Sequence, residues 1–268
     1  MGPMIGIRAA GYLVLLLLWT GSAGATSIVV KLDADQILIA ADAHGIKMGP
    51  HSRATNETEC KIVRFQDAGF AVTGIADYVP SQSKDPVKSW DAYSDAREAY
   101  QEQGRDLFAA ADDWANRATL HYASFYHANA ARVRGLAQAN DQNVLLVGMF
   151  AGFRGDKAWL VVETISLDDY ASSASIFHRQ LVFSARELPY SSNRTTEDLI
   201  EGRSQRAKAV QAAWVKMSGS IPVSMQRFRR LEFLIQATAE FDKTVGTRVN
   251  VLEIRPHSDS HWRQNFTC

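Results

Sequence analysis

An α+β fold built on two sheets with helices outside them follows from three observations in this chain of 268 residues. Short β-rich runs and longer helical patterns come in the order strands, helices, strands, helices, strand. Apolar residues recur at helical spacing in the helical patterns but crowd into runs of four to eight in the strands. The length suits one large domain whose core needs no disulfide scaffold. No internal repeat or low-complexity stretch divides it.

Ahead of the first strand lies a segment of different character. Arg8 is followed by an apolar run from Ala9 to Trp19, then by small residues ending Ala23-Gly24-Ala25. A charged start, an apolar middle and an A-x-A end make the pattern of a secretory signal peptide. The run is also shorter than the ~20 residues of an ordinary membrane span. The expectation is a leader over 1–25, cleavage after Ala25, and one secreted domain (periplasmic or extracellular) over 26–268. That domain would begin at Thr26, where a hydroxyl and a freed α-amine on one residue can act as nucleophile and base.

Ser27 to Leu32 and Gln36 to Asp42 are apolar runs around the turn Asp33-Ala34-Asp35, and they read as a hairpin. Ala43 to Thr58, with Gly45, Gly49 and Pro50, reads as a polar connection. Cys60 to Phe65 and Gly69 to Ile75 flank the turn Gln66-Asp67-Ala68. Four strands so close in sequence predict an antiparallel meander. Ser81 to Pro86 reads as a loop, and Pro86 suits the first turn of a helix.

From Leu107 onward, Leu107, Ala111, Trp114, Ala118, Tyr122 and Phe125 recur at three- and four-residue steps. This predicts a long amphipathic helix whose aromatic face belongs to the core. Strands follow at Asn143 to Phe153, Ala158 to Leu167 and Ser175 to Ser184. Helical patterns return at Ser204 to Met217 and Val223 to Phe241, and Thr247 to Ile254 closes as a strand. Pro256 to Cys268 reads as a polar, solvated tail.

Lysine plus arginine and aspartate plus glutamate number 29 each. A chain so balanced has no general attraction for nucleic acid or an anionic membrane, and neither is expected as a partner once the leader is removed. His121 and His127 fall on different helix faces, while His257 and His261 lack accompanying ligands, so no metal site is expected. Cys60 and Cys268 could pair in an oxidising compartment, but free thiols are the expectation. Asn56, Asn193 and Asn265 each begin an Asn-x-Thr triplet, the acceptor pattern for N-glycosylation.

Lys61 stands out on chemical grounds. Strand alternation places it on the face of Val63 and Phe65, opposite Cys60, Ile62 and Arg64. If that face is buried, the ammonium must meet an anion or lose its proton. Asp42, at the end of a neighbouring apolar strand, is a suitable anion. The alternatives are that Arg64's face is the buried one, or that Lys61 snorkels at a sheet edge.

Thr26-Ser27-Ile28-Val29-Val30, Ile37-Leu38-Ile39-Ala40-Ala41-Asp42, Lys61-Ile62 and Gly69-Phe70-Ala71-Val72-Thr73-Gly74-Ile75-Ala76-Asp77 together resemble the proteasome β-subunit family of N-terminal nucleophile hydrolases. Near the end, Asp242-Lys243-Thr244-Val245-Gly246-Thr247 and the strand Val249 to Ile254 resemble the family's Asp-x-x-Ser-Gly-Gly and closing strand. Val245 stands at the serine position and Thr247 at the second glycine. The resemblance implies a four-layer αββα sandwich with Thr26 at one mouth of the sheet pair. It further implies Thr26 as nucleophile, Lys61 as neighbouring cation, Asp42 as its support, Gly74 as oxyanion donor, and Asp242 in the supporting turn. The implied activity is a secreted threonine-type hydrolase acting on a peptide or small amide, without cofactor or metal. Assembly into a homo-oligomer is compatible with it. An exported member of the fold that has lost catalysis and serves as a binding or scaffold module is the alternative.

Overall fold

The computed structural model describes residues 13–18, 27–48, 54–74, 76–78, 90–139, 143–168, 175–185, 216, 219–221, 223–241, 246–266 and 268. Its first part runs through β1 (Leu13–Leu18), β2 (Ser27–Leu32), β3 (Ile37–Asp42), β4 (His44–Met48), β5 (Ala54–Thr58), β6 (Ile62–Arg64) and β7 (Ala68–Gly74). The short strands β8 (Asp77–Tyr78) and β9 (Trp90–Asp91) lead to α1 (Ala92–Glu102), α2 (Leu107–Ala128) and α3 (Ala130–Ala139). Then come β10 (Val144–Arg154), β11 (Lys157–Asp168), β12 (Ser175–Ser184), α4 (Val223–Phe241), β13 (Val249–Ile254) and β14 (His261–Gln264).

The fold is mixed α+β with two five-stranded antiparallel sheets. One has the order β1-β2-β3-β13-β14 and the other β12-β11-β10-β7-β6. In the intact chain, Leu13–Leu18 pairs along β2, with Leu13 opposite Leu32 and Leu18 opposite Ser27.

Apolar residues on both faces of the central strands explain this arrangement. All six residues of β3 are buried, so neither face can be left to water. Ile28, Val30 and Ile39 of the first sheet share a core with Ile62, Met149 and Leu160 of the second. On the other face of the first sheet, Val29, Ala40 and Val251 pack with Leu231 and Ile235 of α4. On the other face of the second sheet, Phe70, Phe150 and Val161 pack with Trp114 and Tyr122 of α2. Each large apolar side chain so buried contributes roughly 1.5–3 kcal/mol.

The helices start where the sequence supplies acidic caps. Asp91 Oδ1 accepts from the Tyr93 N–H at 3.0 Å, and Asp106 Oδ1 accepts from the Phe108 and Ala109 N–H groups at 3.0 Å each. The predicted aromatic face of α2 is buried as expected, and Trp114 also donates to the Ala92 carbonyl at 3.0 Å. Its ring occupies the space a Cβ would need at Gly148, with ring atoms at 2.3 Å from that point. Only glycine lets α2 settle this closely on β10.

Three expectations are corrected. The four early strands do not form one meander, because β2 and β3 lie in the first sheet while β6 and β7 lie in the second. A meander with one wet face cannot bury strands that are apolar on both faces. Nor is Ala43 to Thr58 a plain polar connection, since β4 and β5 pair from His44↔Thr58 to Met48↔Ala54. The Glu59 N–H donates to the Ala43 carbonyl at 3.1 Å, which draws the two ends together and lets the arms run antiparallel. The tail is not simply solvated, because β14 joins β13 and Ser260 is fully buried.

The loop expected at Ser81 to Pro86 lies outside the described residues, as does the helix expected at Ser204 to Met217 apart from Lys216. Among the described residues, no helix is long and apolar enough to cross a membrane.

Candidate active site

One end of the sheet pair gathers the residues of interest. Ile28 lies opposite Ala41, which sets the start of β2 beside the end of β3. Val249 lies opposite Asp42, so β13 begins there too. In the second sheet, Ile62 lies opposite Ala71, and Gly74 at the end of β7 lies opposite Leu146 near the start of β10. Register alone therefore brings the chain that follows Thr26 to the same end of its sheet as Asp42.

Lys61 joins the two sheets at this end. Its Nζ donates to Asp42 Oδ1 at 3.1 Å and Oδ2 at 3.0 Å. Both side chains are buried, Asp42 completely. Lys61 stands just ahead of β6, with Ile62 in the core shared by the sheets and Val63 and Phe65 in the core under the helices. Lys61 is itself buried, so it does not snorkel, and its ammonium crosses to Asp42 of the first sheet rather than following Val63 and Phe65 into the core under the helices. Taking two charges out of water carries a desolvation cost comparable to their attraction, so such a pair is weak evidence of a stabilising role.

Asp42 is held from a third direction. The Gly246 N–H donates to Asp42 Oδ2 at 3.1 Å. Next to it, the Ala43 N–H donates to the Arg248 carbonyl at 2.8 Å. The segment 246–248 thus orients the carboxylate that orients Lys61. Sequence reasoning placed Gly246 in a motif but did not foresee this contact.

Gly74 has φ of 110°, a conformation that L side chains rarely adopt. A Cβ there would stand 2.5 Å from the Leu145 carbonyl oxygen. Before it, Thr73 is buried and its Oγ1 has no hydrogen-bond partner among the described residues. Backbone that needs glycine, beside a buried hydroxyl without a partner, is a place where a small acceptor could be received.

Of the predicted site residues, Asp42 and Lys61 are brought together, and Gly74 ends its strand at the same end of the sheets. Thr26 and Asp242 lie outside the described residues. Among the described residues, no group of three or more His, Cys, Asp or Glu side chains could hold a metal ion.

The expectation of free thiols is overturned, for Cys60 and Cys268 form a disulfide with Cα atoms 4.9 Å apart. Their separation of 208 residues hid a proximity that the β13–β14 pairing creates. A second buried ion pair, Lys31 Nζ to Asp33 Oδ2 at 2.8 Å, also went unforeseen. A lysine flanked by Val30 and Leu32 in an apolar strand was the available signal. No protein-family model matches this chain, and no curated protein matches it in sequence.

Proposed function

We propose that the chain is a secreted threonine-type N-terminal nucleophile hydrolase, similar to proteasome β-subunits, that cleaves an amide or peptide bond through an acyl-enzyme on Thr26. The observation that carries this reading is the buried Lys61–Asp42 pair. It sits at the end of the sheets where β2 begins, directly after Thr26. The three apolar cores support the αββα layering that the resemblance implies.

Cleavage after Ala25 is the enabling step. While residues 1–25 are attached, the Thr26 nitrogen is a peptide nitrogen and cannot accept a proton. Once freed, the amine has a reference pKa of about 7.7–8. It takes the proton of the Thr26 hydroxyl as Oγ1 attacks the substrate carbonyl carbon. The oxygen that becomes negative is received by the backbone N–H of Gly74. As the C–N bond breaks, the proton passes from the Thr26 amine to the leaving amine, and water then hydrolyses the ester on Oγ1. Lys61 contributes a fixed positive charge that disfavours protonation of the Thr26 amine. Asp42, held by the Gly246 N–H, fixes the ammonium in place.

The test uses exported protein, intact mass and an epoxyketone probe that reacts with a hydroxyl and an adjacent amine. The mature chain should begin at Thr26 and gain one probe. Thr26→Ala should gain none, and Thr26→Ser should keep part of the reactivity. Labelling should decline as pH drops below the pKa of the amine, with the limb lying below its reference value. A different first residue, or equal labelling of Thr26→Ala, overturns the reading and leaves the binding or scaffold role.

A further inference from the structure

We propose that the C-terminal segment Pro256–Cys268 is a clasp that positions Lys61, and that the Cys60–Cys268 bond makes this hold redox-dependent. The proposal rests on the reading of Lys61 as the cation of the candidate site.

The segment touches both ends of β6. Past its C-terminal end, the Ser260 N–H donates to the Gln66 carbonyl at 2.6 Å, and the Ser260 hydroxyl donates to the Phe65 carbonyl. Ahead of its N-terminal end, Cys268 is bonded to Cys60, the residue before Lys61. Between these points, β14 lies on the edge of the other sheet, with Trp262 opposite Leu252 and His261 opposite Glu253. The Phe266 N–H adds a bond to Asn250 Oδ1 at 2.7 Å. Glu253 on β13 receives Arg263 from β14, and His261 lies 3.3 Å from the same carboxylate. One strand of chain thereby fastens the edge of the first sheet to the edge of the second.

What it fastens needs fastening. β6 has three residues and is an edge strand whose ladder runs to β7 alone. Lys61 stands outside that ladder; ahead of it the backbone is held by the Glu59 N–H donating to the Ala43 carbonyl at 3.1 Å and by the bond at Cys60. Cys60 is half-buried and Cys268 exposed, which leaves the bond open to a reductant. A phosphine reductant cleaves it with balance: the S–S bond breaks, each sulfur takes a proton, and water supplies the oxygen of the phosphine oxide. Loss of the bond frees the last residues of the tail and lets the start of β6 open with Lys61.

The experiment compares mature wild type, wild type reduced with a water-soluble phosphine, and Cys268→Ser. A brief pulse of an amine-acetylating reagent is read by peptide mass, with Lys31 as internal control. In the intact chain Lys31 is buried and ion-paired, separated from β14 by two strands of the first sheet; in the mature chain, without β1, it serves as the control for any change between the three samples. In oxidised wild type Lys61 should resist the reagent, and Lys31 should react at one rate in all three samples. In the other two samples Lys61 alone should react faster, by about tenfold or more, because local opening replaces global opening as its route to the reagent. The acid limb of Thr26 probe labelling should also move up toward the reference amine value of about 7.7–8, since the cation beside the amine is no longer fixed. A purely stabilising crosslink would not move that limb.

Equal protection of Lys61 in all three samples overturns the clasp. So does parallel exposure of Lys31 and Lys61, which would mean that the bond only stabilises the whole domain. An unmoved limb with Lys61 open overturns the link to the site. If Lys61 alone opens while Thr26 labels in no sample, the clasp stands and the hydrolase reading falls.

Discussion

Lys61 donates to both carboxylate oxygens of Asp42, across from one sheet to the other, and both side chains are shut away from water. The contact spans 19 residues of sequence, yet it is what closes the candidate site. A cation and an anion confined in this way are poor sources of stability and good sources of fixed charge.

Lys61→Met should leave Asp42 buried without its cation and cost about 3–5 kcal/mol of stability. Adding Asp42→Leu should recover most of that loss, because an apolar pair removes both desolvation costs. Neither variant should label at Thr26 at a rate within about 10²-fold of wild type, the scale on which fixed electrostatic groups act. Chemical denaturation and probe kinetics on the same preparations give both quantities. Recovery of labelling in the double variant would show that the pair is structural only.

Gly74→Ala should be destabilising by about 1–3 kcal/mol, because a residue with a Cβ is then held in a sparsely populated backbone region. The contact with the Leu145 carbonyl oxygen adds to this, since that neighbour is backbone and cannot step aside. Thr73→Val, which exchanges the hydroxyl without a partner for a methyl, should leave stability unchanged or slightly higher. Thermal unfolding of the two variants beside wild type checks the contrast. A tolerant Gly74→Ala would mean that the β7 end relaxes freely.

Two buried glutamates should give opposite pH slopes. Burial pushes the Glu163 carboxyl up, although Gln180 and His178 hydrogen-bond to it. A raised carboxyl favours the folded state when protonated, so its contribution is lost as pH rises past the ordinary value and through the folded one. Burial also pushes Glu253 up, but Arg263 and Arg255 outweigh this and hold it below the ordinary value. Its contribution is present above the unfolded value and is lost as pH falls through the folded one. Glu163→Gln should therefore gain on wild type as pH rises from 4 to 8, whereas Glu253→Gln should fall behind as pH rises toward and past the ordinary carboxylate value of about 4.3, between about pH 2 and 5. Melting temperatures across both ranges decide it, and slopes of the same sign would refute the assignment.

Much of the fold could be read locally. The aromatic spacing of Leu107 to Phe125, the three strands from 143 to 184, and the closing strand before Ile254 are signals carried within single elements, where periodicity reports which residues are buried. Asp42 and Lys61 were also legible as a pair, because a lysine between apolar neighbours requires an anion and an aspartate ends an apolar strand nearby. Those arguments hold whatever the strands pair with.

Other features exist only because distant segments meet. Sharing β2, β3, β6 and β7 between two sheets depends on which faces find apolar partners, and a strand apolar on both faces does not name them. Gly246 reaches Asp42 because β13 aligns with β3, and Cys268 reaches Cys60 because β14 folds back along β13. Neither contact leaves a mark in local composition, since a glycine N–H and a thiol look the same in any context. Chemistry that a residue demands of its surroundings is written in the chain; which segment meets the demand is settled by closure of the sheets, where burial of both faces outweighs any local preference.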